Sequence, residues 1–191
     1  MNQRKRAFVS LILTLLMMLS VFPSPVFASE STGETPERIY LSDIEWKSWK
    51  MFGATSADEN PAYTPSRNCN EAGGTLTIAG KEYQKGLRTH PDAAYPAEIV
   101  YDISGYDFTT FSATVGKDSA ASYGYGYVQF LVYVDDQLSA ASPLLEAGED
   151  CDLACNVAGG KELKLVLTNG GDAITHDSGG WGNAMLDNRG C

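Results

Sequence analysis

"YVQFLVYVDD", residues 127–136, sets Val128, Phe130, Val132 and Val134 on alternate positions. "KELKLVLT", residues 161–168, does the same with Leu163, Leu165 and Leu167. Alternation of apolar and polar side chains is the period-two signature of a strand with one buried face. The same strand character recurs in "RIYL" (38–41), "TLTIAG" (75–80), "AEIVYDI" (97–103) and "TTFSATVG" (109–116). Turn residues punctuate these runs: Ala79-Gly80-Lys81, Ser104-Gly105, Asp135-Asp136, Gly159-Gly160 and Asn169-Gly170-Gly171. Beyond residue 28 no stretch keeps a 3.6-residue period over eleven residues or more. Many short strands without helices predict an all-β fold, two sheets packed face to face as a β-sandwich of the jelly-roll kind. Residues 51–74, rich in Asn, Pro, Ser and Gly, are expected to form a long surface loop pinned by Cys69.

Outward from this core, the amino terminus has another character. Arg4, Lys5 and Arg6 precede an apolar run over residues 7–22, and Val26-Phe27-Ala28 places small residues at the −3 and −1 positions of a cleavage site. This is the layout of a secretory signal peptide over 1–28, cut after Ala28. The run is short for a membrane-spanning helix. Residues 29–37, "SESTGETPE", read as a disordered leader, 38–187 as one domain and 188–191 as a tail. The expected location is therefore extracellular. Removing the signal leaves 11 basic and 24 acidic residues. A surface this acidic is repelled by phosphate backbones and anionic lipids, which argues against nucleic acid and membranes as partners. All four cysteines, Cys69, Cys151, Cys155 and Cys191, lie in the exported part, where an even count predicts disulfides in one of three pairings.

One stretch invites a catalytic reading. "DSGG" at 177–180 resembles a serine protease nucleophile loop, and His90, Asp102 and Ser178 follow one another in the chymotrypsin order. The surroundings reject it. His90 lies in "RTHPDAA", His176 and Trp181 replace the Gly and Pro of that loop, and 163 residues are too few for two six-stranded barrels. No nucleophile elbow, phosphate loop or H-E-x-x-H motif is present. The chain is not expected to be an enzyme.

Three stretches, in order, carry a family resemblance: "YLSDIEWKSW" (40–49), "LTIAGKEYQKGLRTH" (76–90) leading into "EIVYDISGYDFTTFSATVGKD" (98–118), and "VQFLVYVDDQ" (128–137) followed by "KELKLVLTNGGDAITHDSGGWGNAML" (161–186). The most specific parts are G-x-x-Y-x-K-G-L-x-T-H over 80–90 and D-x-x-x-W over 177–181. Together they resemble the NPCBM domain, the module attached to glycoside hydrolase family 98 enzymes and grouped as carbohydrate-binding module family 51. The resemblance implies a galactose-binding-like β-sandwich that recognises terminal sugars, galactose-type glycans among them, often with a structural calcium. It also implies no catalysis of its own and a separate glycoside hydrolase as a partner. Three departures stand out. Arg88 replaces the glycine that usually follows K-G-L, "PDAAYPA" (91–97) interrupts the run into the next strand, and Gly180 and Asn183 stand where acids often flank the late tryptophan.

A pyranose has one apolar face and a rim of hydroxyls, so its site needs an aromatic plane and short polar groups. The aromatic candidates are Trp49, Tyr123, Tyr125 and Trp181, the last read as a loop residue among glycines. Trp46 alternates with Ile44 and reads as core. The polar candidates are Arg88, His90 and Asn183. Arg88 and His90 lie on one side of an extended strand, and a guanidinium grips vicinal hydroxyls in bidentate fashion. Asp118, Asp172 and Asp177 are the candidate oxygen ligands for calcium. The rival reading is an interaction domain that keeps the sandwich and has lost the sugar site.

Overall fold

The computed structural model describes residues 37–56, 63–119, 126–172 and 176–188. The signal peptide, the leader up to residue 36, Tyr123, Tyr125 and Cys191 therefore lie outside the described residues. The fold is a β-sandwich. One sheet runs in the order β11 (Asp150–Asn156), β8 (Thr110–Lys117), β13 (Gly179–Asp187), β6 (Gly86–Thr89) and β3 (Ser66–Arg67), and β1 (Arg38–Tyr40) also pairs with β13. The other runs β10 (Gln137–Ala141), β9 (Gln129–Val134), β12 (Glu162–Thr168), β7 (Ala97–Asp102) and β2 (Ser48–Lys50). These pairings are antiparallel. The predicted alternation becomes the core. Phe130, Val132, Leu163, Leu165 and Leu167 from one sheet meet Leu87, Phe111, Val115, Trp181 and Leu186 from the other. Burial of such side chains contributes roughly 1.5–3 kcal/mol each.

The hairpin of β4 (Leu76–Ile78) and β5 (Lys81–Tyr83) lies on the outer face of the first sheet and forms a second small core with Leu76, Ile78 and Tyr83. It lands on glycines. A β-carbon at Gly180 would meet Ile78 and Leu76 at 3.0 Å, and one at Gly182 would meet the Tyr83 ring at 2.5 Å. The glycines around Trp181 therefore serve hairpin packing inside a strand. This corrects the loop expected there, because glycine marks close approach as readily as it marks a turn.

Two further expectations change. The long loop over 51–74 is broken by a bridge between Met51 and Ala54 and by β3. No disulfide joins Cys69, Cys151 and Cys155 to one another. Cys151 and Cys155 are four residues apart on one extended strand, roughly 13 Å, well beyond the span of about 7 Å that a disulfide bridges.

Candidate binding site

Register gathers most of the buried charged residues at one end of the sandwich. Lys117, Gly179 and Thr89 stand side by side where β8 and β6 end and β13 begins. Lys50, Glu98 and Thr168 mark the same end of the other sheet, where β2 and β12 end and β7 begins. Side chains from both sheets converge on this rim.

Arg88 is almost fully buried, with 4% exposure, although it carries a full charge. Its Nε donates to Ser178 Oγ at 2.9 Å, and its Nη2 lies 3.5 Å from Glu71 Oε2, whose side chain is half exposed. The Glu71 amide in turn donates to Asp118 Oδ2 at 3.2 Å. Thus Ser178 is an acceptor for a guanidinium and is itself wholly buried. Asp102 caps the Ser104 turn at the opposite end of β7, five residues or roughly 17 Å from the rim. No triad is assembled.

His90 is buried and stacks on Phe52, with ring centroids 4.4 Å apart; Phe52 packs in turn on Tyr63 at 4.6 Å. Its Nδ1 lies 2.6 Å from the Pro91 carbonyl, which places the ring proton on Nδ1 and leaves Nε2 as an acceptor. Burial holds the imidazole below its ordinary pKa, reinforced by Arg88 and Lys117 and opposed by Glu71 and the Pro91 bond. Burial thus favours the neutral ring. Tyr63, 39% exposed, is the open aromatic member of this stack.

On the core side of the rim, Lys117 Nζ donates to the Gly126 carbonyl at 3.1 Å and lies 3.5 Å from Asp177 Oδ1, with both side chains fully buried. Neither Asp177 oxygen receives a hydrogen bond among the described residues, and burial pushes its pKa up to about 6. A β-carbon on Gly126 would lie 3.3 Å from both Asp172 Oδ2 and Asp177 Oδ1, so these carboxylates converge. Asp118 does not join them; its Oδ2 is turned to the Glu71 amide. Asp172 and Asp177 are hard oxygen donors of the kind calcium takes, and the Lys117 ammonium already stands between Asp177 Oδ1 and the Gly126 carbonyl. Among the described residues, no group of three or more His, Cys, Asp or Glu side chains is placed to hold a metal.

The remaining candidates disperse. Trp181 is 0% exposed, packs edge-on against Phe130 at 4.9 Å and directs its Nε1–H to Thr89 Oγ1 at 3.4 Å. Trp49 is also core, opposite Ile99. Neither indole offers a face to a ligand, which corrects both expectations: alternation along β13 and β2 turns them inward. Trp46 is half-buried against the core, with the Arg67 guanidinium 3.9 Å over its ring. Asn183 is exposed at the bulge of β13, three residues past Gly180, the partner of Arg88. That is roughly 10 Å farther from the rim. Sequence reasoning missed Glu71, Phe52, Tyr63 and Lys117. For Lys117 a signal existed: "TVGKD" carries the β8 alternation on from Val115, so the lysine points inward.

Residues 37–187 match the NPCBM/NEW2 domain family. The chain is similar to the CBM51 of Clostridium perfringens GH95, solved in complex with methyl-galactose. Identity is 30% and the TM-score 0.66, over 78% of this chain and 99% of that one. It is also similar to the Clostridium perfringens ZmpB structure of CBM51-2, in complex with GlcNAc, and INT domains: 25% identity, TM-score 0.67, 79% of this chain and 31% of that one. The tandem CBM51 modules of Sp3GH98 from Streptococcus pneumoniae, at 21% identity and TM-score 0.66 over 89% of this chain and 52% of that one, share the fold. No curated protein matches in sequence. The chain belongs to the NPCBM/NEW2 domain family and is a non-catalytic module of the carbohydrate-binding type.

Proposed function

We propose that this chain is exported and that the rim holding Arg88 and His90 binds terminal sugars of the galactose type. The observation that carries this reading is the Arg88–Glu71–His90 cluster beside the Phe52–Tyr63 stack. Burying a guanidinium and an imidazole is costly, and such groups concentrate where a site requires them. On this reading Tyr63 supplies the open aromatic ring, and the His90 Nε2 acceptor, the Glu71 carboxylate and the Arg88 guanidinium are the polar groups nearby. These complement a hydroxyl rim with both donors and acceptors. The neighbour solved with methyl-galactose lends the sugar class. A shallow rim implies a weak Kd, on the order of 0.01–1 mM for a monosaccharide. A structural calcium would, on this reading, be held by the Asp172 and Asp177 carboxylates, where it would lend rigidity and take no part in chemistry. A separate glycoside hydrolase is the proposed working partner.

The test is calorimetric titration of the purified chain with methyl β-galactoside and methyl β-N-acetylglucosaminide, with and without calcium chelator. Galactoside binding that falls at least tenfold in Tyr63→Ala and Glu71→Gln, with the thermal midpoint little changed, supports the reading. Silence toward both sugars would point instead to the interaction domain. Calcium should raise the thermal midpoint of the wild type and leave that of Asp172→Asn unmoved.

A further inference from the structure

The segment "PDAAYPA" (91–97) builds a compact turn next to the rim. The Asp92 amide donates to the Tyr95 carbonyl at 2.9 Å, and Asp92 Oδ1 accepts from the amides of Ala94 and Tyr95, both at 2.6 Å. An aspartate that closes its own turn in this way fixes the loop before any ligand arrives. The turn holds Tyr95 half exposed, at 52%. Lys50 Nζ lies 3.9 Å from its ring centroid, which orients the ring through a cation–π contact.

Between this turn and the end of β12 is a cleft of about 220 Å³, lined by Asp92, Tyr95, Pro96, Thr168 and Asn169 among others. Drug-sized pockets run to roughly 300–1,000 Å³, so this one suits a single ring. It offers an aromatic ring and the Asp92 Oδ2 oxygen, bordered by the Asn169 amide and the Thr168 hydroxyl, which hold the turn after β12. The larger cleft on the outer face, about 290 Å³ between Ser112, Thr114, Asp152 and Asn183, has no aromatic side chain in its lining.

Position ties the cleft to the rim. Pro91, whose carbonyl meets the His90 ring, begins the turn, and Asp92 Oδ2 lies 3.6 Å from where a β-carbon on Gly53 would be, beside the Phe52 that stacks on His90. We infer that the Asp92–Tyr95–Asn169 cleft is a second sugar subsite, so that the ligand is an oligosaccharide whose terminal residue sits at the rim and whose next residue stacks on Tyr95. This inference rests on the reading of the rim as a sugar site.

The test titrates wild type and Tyr95→Ala with methyl β-galactoside and with a panel of galactose-terminated di- and trisaccharides of different linkage. The best oligosaccharide should bind wild type about tenfold more tightly than the monosaccharide, as one stacked ring allows. Tyr95→Ala should erase that gain and leave monosaccharide affinity within about twofold, and Tyr95→Phe should keep it. Proton NMR of the wild type gives the same decision without a variant, through shifts of the Tyr95 ring with oligosaccharide and none with monosaccharide. Equal affinity of wild type for all lengths, or a Tyr95→Ala loss that is equal for monosaccharide and oligosaccharide, overturns the second subsite and leaves the rim intact. Failure of wild type to bind any of these sugars overturns the rim reading, and the subsite with it.

Discussion

The two ends of this sandwich solve the same problem in opposite ways. At the end marked by Asp102, Val134 and Glu162, turns are short and close on themselves. Asp102 accepts from the Ser104 amide and hydroxyl, Asp135 Oδ1 from the amides of Lys161 and Glu162, and Asn156 Oδ1 from the Ala158 amide. Its ion pairs, Lys47 with Glu162 and Lys164 with Asp136, each keep one partner well exposed to water. At the other end Arg88, His90, Lys117, Asp118 and Asp177 are buried. Charge in water costs little, whereas charge under cover costs a great deal unless it is paired. The far end is built for closure. The near end holds polar groups that folding alone does not favour.

That contrast breaks first, if it breaks, at Lys117. Lys117→Met leaves the Asp177 carboxylate buried without its cation and should cost about 3–5 kcal/mol in chemical denaturation. Adding Asp177→Leu should recover most of the loss. Lys164→Ala at the far end should leave the midpoint unmoved. A large effect there would erase the distinction between the ends.

A smaller effect tests the outer face. Gly182→Ala drives a β-carbon into the Tyr83 ring and should cost about 1–3 kcal/mol, read as a lower thermal midpoint and faster hydrogen exchange in the β4–β5 hairpin. Gly105→Ala, with open space around it at the far end, should change neither.

The smallest effect concerns pH. His90 faces Arg88, Lys117, Glu71 and the Phe52 ring, and burial depresses its pKa. The unfolded chain therefore binds a proton more readily than the folded one. The stability His90 contributes is present above about pH 6.5, its unfolded pKa, and is lost as pH falls through the lower folded value. Urea midpoints at pH 7 and pH 5 should differ more in wild type than in His90→Gln. An equal difference would mean that the imidazole is not shielded.

These effects also show what was legible in the sequence. Alternation exposed β7, β8, β9 and β12, because side-chain period is local and needs no partner to be read. It failed for β13, where "GGWGNAML" looks like a loop. The glycines there answer to Tyr83, Leu76 and Ile78, about a hundred residues earlier. The same error made Trp181 a ligand candidate. Arg88 and His90 stand out in a motif, whereas Glu71, Phe52 and Tyr63 come near them only through chain crossings that no spacing encodes. Of the three aspartates, Asp172 and Asp177 meet and Asp118 turns away, because the alternation of β8 continues past its end: Lys117 points into the core and Asp118, the next residue, out of it.

The most direct test maps ligand contact on the intact domain. Two-dimensional NMR of the labelled chain, titrated with methyl β-galactoside, should shift the signals of Tyr63, Glu71, Arg88 and His90 and leave those of Ser104, Asp135 and Asn183 in place. Shifts confined to the far end or to the Asn183 cleft, or no shifts at millimolar sugar, would contradict the account.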